Sequence, residues 1–299
     1  MNAKIFGLLL VVVSVSVGCS GGGGGGGGNG RNTPRTISDS MTGEYAKPQA
    51  YNQKAVEYLS NHAKKSNSTL PGMDLLLSGD KFADAYKKLD AKGKDYFAKI
   101  RDNCTISNPP KKEDSSSGPQ SRTEKISGGA DCPIRYSKTE TQDVRAVKGD
   151  KIITVTGTQT QEQSTEILDP QMQGDTDSRK MTMRLAMTLQ GDAAHDGNEV
   201  TDMVVKANGA GRVDAETLDG NVTGDIKFEM IMSSSRGGQP SMQMVIVAMI
   251  HTPEGSVSLG FKMQNQTMEI RVGGKVVTPK EFEEIFGGIP SGPTGLAQN

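Results

Sequence analysis

The residues of this chain whose types could do chemistry are three histidines, a serine–lysine pair, one acidic loop, three cysteines and a band of methionines. His62, His195 and His251 are far apart in sequence, and none begins a recognised metal-ligand spacing, so each is expected as a surface or half-buried residue and no metal is expected. Ser78 and Lys81 have the Ser-x-x-Lys spacing with which some acyl-transfer enzymes activate a serine hydroxyl. The partner motifs Ser-Asp-Asn and Lys-Thr-Gly are absent, and Ser78 and Asp80 suit a helix start better. Asp192, His195, Asp196, Asn198 and Glu199 form the densest oxygen-rich stretch, which could hold a hard cation, but the spacing is not that of a calcium loop and reads as a hairpin turn. No catalytic set emerges, so the expectation is a protein that is not an enzyme and carries no cofactor.

Cys104 and Cys132 bracket a stretch rich in Ser, Pro, Gly, Lys and Glu. In an exported chain one remaining cysteine pair implies a disulfide, which would pin the last helix to the first strand. Of the fifteen methionines, nine fall between Met181 and Met249. Methionine is flexible and polarizable, so such a band either fills a core or lines an adaptable apolar groove. Met183, Met187, Phe228, Met230, Met244 and Phe261 are the candidate residues for contact with a hydrophobic ligand. Copper capture by the thioethers fits the regular alternation less well than packing does.

The start of the chain bears on where this chemistry takes place. Lys4 precedes the apolar run Ile5 to Val13, small residues follow to Gly18, and Cys19 comes next, the pattern of a secretory signal peptide over 1–18. The run is too short for a bilayer span of about 20 residues. Ser16-Val17-Gly18-Cys19 resembles the lipobox of bacterial lipoproteins, although Ser16 stands where that family usually has Leu. The resemblance implies cleavage before Cys19, diacylglycerol on its sulfur, and a location on the outer membrane of a cell envelope, facing the periplasm or the exterior. Ser20, rather than Asp, implies the outer-membrane sorting. Eight glycines, Gly21 to Gly28, follow; they offer no side chain to bury, and 19–47 is expected to be a flexible tether. With 34 basic and 35 acidic residues the net charge is −1, which gives no field to recruit nucleic acid.

The elements that must position these groups divide at about residue 132. Residues 48–104 read as helical. Tyr51, Ala55, Tyr58, Leu59 and His62 recur at helical spacing over 48–63, Phe82, Ala83, Tyr86 and Leu89 form a second face, and Tyr96, Phe97 and Ile100 a third. Residues 105–131 read as a solvated, disordered-like loop. From 132 to 286 the period changes to two. Thr-rich 151–160, the alternation Met181 to Leu189, Ile226 to Met232, Val257 to Met263 and Met268 to Val272 are strands with one dry face, while Met242 to Ile250 is apolar on both faces and reads as a fully covered strand. Short turns at Gly237-Gly238, Pro253 to Gly255, Asn265-Gln266 and Gly273-Gly274 require antiparallel pairing. Thr278, Pro279 and Glu281 form a helix start, after which Phe282, Ile285 and Phe286 give a short helix a single apolar face. The tail 287–299 is expected to be flexible.

The expected fold is therefore α+β, one domain in which N-terminal helices pack on a meandering, curved antiparallel sheet closed by a short C-terminal helix. This layout is similar to the half-barrel of the lipoprotein carriers LolA and LolB, in architecture only and with no shared motif. The expected function is a lipid-anchored envelope protein with a binding or structural-interaction role, whose partners are the membrane, through its anchor, and a hydrophobic ligand or an envelope protein. A LolA/LolB-like carrier of a hydrophobic ligand is the alternative, and an envelope-polymer hydrolase with carboxylates assembled from separate strands is a third reading.

Overall fold

In strand form a side chain every second residue points to the same face, and the apolar alternation of this chain becomes a single sheet. The computed structural model describes residues 34–47, 50–66, 91–107, 119–196, 199–236, 240–264 and 267–286. Among the described residues three helices come first: α1 (Asp39–Ala46), α2 (Gln53–Ser66) and α3 (Ala91–Asn103). The strands are β1 (Cys104–Ser107), β2 (Gln120–Gly128), β3 (Ile134–Lys148), β4 (Ile152–Ile167), β5 (Lys180–Asp196), β6 (Glu199–Thr217), β7 (Gly220–Ser235), β8 (Ser241–Thr252), β9 (Gly255–Gln264), β10 (Thr267–Val272) and β11 (Lys275–Val277). A short helix α4 (Pro170–Thr176) interrupts them after β4, and α5 (Pro279–Phe286) ends the described chain. The strands form one eleven-stranded sheet in sequential order, and every pair of neighbours is antiparallel. The α+β class and the antiparallel meander are as the sequence predicts.

Residues directly opposite in such a sheet share a face. One row runs Gln120, Gln142, Gln159, Met187, Gly209, Phe228, Ile246, Phe261 and Ile270 across β2 to β10 and defines what we call the inner face. A Cβ at Gly209 would lie 2.7 Å from the Phe228 ring, so the absence of a side chain there lets the ring lie over the backbone of β6. The inner face of β5 to β10 forms the main core with Ala55, Val56 and Leu59 of α2 and with Phe282 and Phe286 of α5. Burial of each large side chain in such a core contributes about 1.5–3 kcal/mol. A second cluster joins Tyr96 and Ile100 of α3 and Met172 of α4 to Ile126, Ile134, Tyr136 and Ile167 on the inner face of β2 to β4. Beside it Cys104 and Cys132 form the expected disulfide, with Cα atoms 5.0 Å apart, but it ties the junction of α3 and β1 to the residues before β3, the third strand rather than the first.

The outer face has its own cover. Ser38 caps α1, and Met41 and Tyr45 pack on Val245 of β8, the strand read as apolar on both sides. The Ser38 amide and hydroxyl donate to the buried Glu229 carboxylate at 2.8 and 2.7 Å, and Lys206 Nζ reaches it at 2.7 Å. The Tyr45 hydroxyl donates to Glu269 at 2.9 Å, with the Arg271 guanidinium 4.6 Å over its ring. Arg35 pairs with Asp202. Residues 35–46 thus form a strap over β6 to β10.

Several boundaries differ from expectation. The stretch 19–47 is not tether throughout, because a serine cap and two buried side chains make 39–46 a docked helix. The segment 105–131 is not loop throughout, because β1 and β2 lie within it; apart from Ile126 both faces of β2 are polar, so no hydrophobic period marks it. The helix expected over 48–63 starts at Gln53, where the Asn52 side chain accepts from the amides of Lys54 and Ala55, and Tyr51 is exposed before it. The helix expected around Phe82 to Leu89, the signal peptide, Cys19, the glycine tract and the tail lie outside the described residues. At the other end the Thr278 hydroxyl accepts from Glu281 N–H while Glu281 returns a bond to Thr278 N–H, the capping box read from the sequence.

Candidate functional site

All six side chains predicted to meet a hydrophobic ligand lie on the inner face. Met183 and Met187 come from β5, Phe228 and Met230 from β7, Met244 from β8 and Phe261 from β9, all buried in the main core. Leu185, Leu189, Met232, Met242 and Met263 lie beside them and are only partly buried. Phe261 meets Phe282 of α5 edge-on, with ring centroids 5.6 Å apart.

Towards β2 the same face changes character. Arg122 stands opposite Glu140, and Glu124 opposite Lys138. Arg122 also bonds Glu124 along β2 at 2.9 Å, and Lys138 bonds Glu140 along β3 at 2.9 Å. Each charge is therefore flanked by the opposite sign both along and across the strands. These four side chains are 13 to 28% exposed. Gln161 and Gln163 continue the two rows on β4 and are buried, and Leu185 and Met183 of β5 follow them. The inner face thus runs from a balanced set of charges, through amides, to methionine and aromatic side chains.

At one end of this face, residues from three elements meet. Leu59 places α2 on the main core, and His62, one turn later, is buried rather than the surface or half-buried residue expected. Its Nδ1 contacts Asp177 Oδ2, and its Nε2 lies 3.8 Å from Asp219 Oδ2. Asp177 follows α4 in the left-handed conformation, with φ of 50°, and is itself buried. Asp219 sits in the turn between β6 and β7 and is 63% exposed. The Tyr58 ring lies 4.1 Å from the imidazole, and its hydroxyl is 2.9 Å from Thr217 Oγ1. Thr217 in turn accepts from Asp219 N–H at 3.2 Å and donates to the Gly220 carbonyl at 2.7 Å. One nitrogen and two carboxylate oxygens within 4.8 Å of one another are a set that could hold a metal ion.

The chain matches no family model, no characterised protein and no solved structure in comparisons with known proteins. The reading of the site therefore rests on its own residues.

The remaining sequence candidates do not converge. Asp192 accepts from Thr154 Oγ1 at 3.2 Å, His195 Nε2 lies 3.1 Å from the Gly149 carbonyl, Asp196 and Glu199 are backbone register partners of β5 and β6, and Asn198 lies outside the described residues. His251 is exposed, with Nδ1 2.7 Å from Ser256 Oγ. Ser78 and Lys81 lie outside the described residues. Among the described carboxyl groups, Asp175 is held below its usual range by hydrogen bonds from Tyr96 and Lys92. Glu269 is held down likewise by Arg271 and Tyr45. At Glu229 burial is the largest single influence and pushes the pKa up, but the bonds from Lys206 and Ser38 together hold it low. These are the signs of structural pairing, since a general acid needs its pKa raised. Sequence reading missed Arg122, Glu124, Lys138, Glu140, Asp177 and Asp219. The Asp-Pro start of α4 was the one local signal that pointed near Asp177, because Asp169 caps the helix and Pro170 opens it.

Proposed function

We propose that this is a lipid-anchored cell-envelope protein that works by binding, and that its ligand is an amphiphile held against the inner face of a curved sheet under the N-terminal helices. The observation that carries the reading is the gradient across that face, from four alternating charges on β2 and β3 to the methionine and aromatic side chains of β5 to β9. An acyl chain gains about 0.8 kcal/mol per buried methylene at the apolar end. A polar head finds donors and acceptors at the other end, where no net charge repels it. The sequential antiparallel order is what a half-barrel carrier of the LolA and LolB kind requires, and the methionines suit a pocket that must adapt to chains of different length. The lipobox-like Cys19 and the glycine tract supply the anchor and tether, with the outer membrane as the expected address. No helix of the described residues is long and apolar enough to cross a membrane.

The deciding experiment is titration of the mature chain with a fluorescent fatty acid. Saturable binding is expected at micromolar concentration, and Met230→Glu should lower affinity more than it lowers stability. Absence of binding by a folded chain reduces the methionines to core filler and leaves an interaction with an envelope protein as the function. Mass spectrometry of the mature N-terminus tests the anchor, and an unmodified chain starting elsewhere than Cys19 overturns it.

A further inference from the structure

We propose that His62 and Asp219 form a site for a borderline divalent cation of the Zn2+ class, with Asp177 holding the imidazole from behind. The two nitrogens of His62 have different neighbours. Nδ1 is in direct contact with the buried Asp177 carboxylate, and a neutral ring protonated on that side carries its lone pair on Nε2. A histidine ligand with its other nitrogen bonded to a carboxylate is the recurrent outer-shell arrangement of metal sites, where it fixes the tautomer and raises the basicity of the ligating nitrogen. Nε2 points at Asp219 across 3.8 Å. That gap is too long for a hydrogen bond, which closes at about 2.7–3.2 Å. It suits two ligands of one ion, each about 2.0–2.2 Å from zinc, after an inward shift of about half an ångström by the exposed Asp219 side chain.

The backbone around the gap is set in advance. Tyr58 lies one turn before His62 on α2, and its hydroxyl meets Thr217, whose oxygen also accepts from the Asp219 amide. The helix that carries the nitrogen and the turn that carries the oxygen are therefore held in register by Thr217. Asp177 is fixed by its place after α4, where its amide bonds the Gln173 carbonyl. One donor is buried and one is open, so an ion can arrive from solvent beside Asp219 and keep water in its remaining positions. A mixed nitrogen and oxygen set favours Zn2+ over Ca2+, which takes oxygen ligands. Once bound, the ion joins α2 to the β6–β7 turn at the end of the inner face.

The test uses the mature chain stripped of metal by a chelator and then titrated with Zn2+ by calorimetry and with Co2+ by visible absorption. One equivalent should bind, with cobalt bands typical of imidazole and carboxylate ligands, and amide exchange in α2 should slow when zinc is added. Asp219→Asn alters an exposed side chain and should fold normally, yet weaken binding at least tenfold. Asp177→Asn should weaken it by a smaller factor through loss of the outer-shell bond. His62→Gln should abolish it, and if that variant fails to fold the Asp219→Asn result decides alone. No saturable zinc binding at millimolar concentration overturns the proposal, and so does undiminished binding by Asp219→Asn, which would assign the metal to other residues.

Discussion

On one row of the inner face, Gln161 of β4 is followed by Leu185, Gly211, Ile226, Ala248 and Leu259 on β5 to β9, while on its other side it faces Glu140 and then Arg122. The backbone lattice is the same in both directions, and the means of covering it differ. The β5 to β9 side is covered by apolar packing against α2 and α5. The β2 to β4 side has a smaller apolar cluster under α3 and α4, a disulfide beside it, and four charges that neutralise one another further along the strands. A sheet can thus keep one architecture while half of a face is held by dispersion and the hydrophobic effect and the other half by pairing, and only the paired half offers polar atoms to a ligand.

The sharpest test of this contrast compares two buried residues on the same face. Phe228→Ala should cost about 3–5 kcal/mol in denaturant unfolding, since a fully packed ring leaves a cavity over Gly209. Gln163→Leu should change stability by less than about 1.5 kcal/mol while weakening amphiphile binding. Equal costs at the two positions would break the comparison. Reduction of Cys104–Cys132, which are 28 residues apart, should remove about 3–4 kcal/mol and raise amide exchange in β1 to β3 before β5 to β10. Glu124→Gln should cost about 1–2 kcal/mol, because the half-buried Arg122 and Lys138 lose a partner that is itself only 13% exposed.

The smallest effect is expected on the outer face. Glu229 has its pKa lowered in the fold, so its contribution is present above the ordinary carboxylate range and is lost as the pH falls through the lowered value. Protonation there removes the charge that Lys206 and the cap of α1 share. Amide exchange in 39–46 should therefore rise as the pH falls below the ordinary carboxylate range, ahead of the inner-face core. A strap that keeps its protection after Glu229→Gln would show that Met41 and Tyr45 hold it unaided.

The same contrast explains what was legible in the sequence. β5, β7, β9 and β10 were readable because their two faces differ in polarity, and β8 because neither face is polar. β3 carries Ile134, Tyr136, Lys138 and Glu140 inside against Arg135, Ser137 and Thr139 outside, so after its first residues the hydrophobic period fades. β6 alternates, but its inner positions include Ala207, Gly209, Gly211 and Ala215, small residues that weaken a hydrophobic signal. The inner-face placement of the six apolar candidates follows from the clear period of β5, β7 and β9 and from the unbroken apolar run of β8. His62, Asp177 and Asp219 come together only in three dimensions, and the charged quartet becomes visible only once the register of β2 against β3 is known.

The strap also bears on the order in which the molecule assembles. Within the sheet every pairing joins strands adjacent in sequence, so each hairpin can form from its neighbour with a short closure. Ser38 and Tyr45 instead wait for partners 191 and 224 residues away, at Glu229 and Glu269. A chain synthesised from its N-terminus delivers residues 35–46 before any of the strands they dock on, and their last partner, Glu269, comes only with β10. The earliest part of the folded domain to appear is therefore among the last to find its place, and its docking marks a finished sheet.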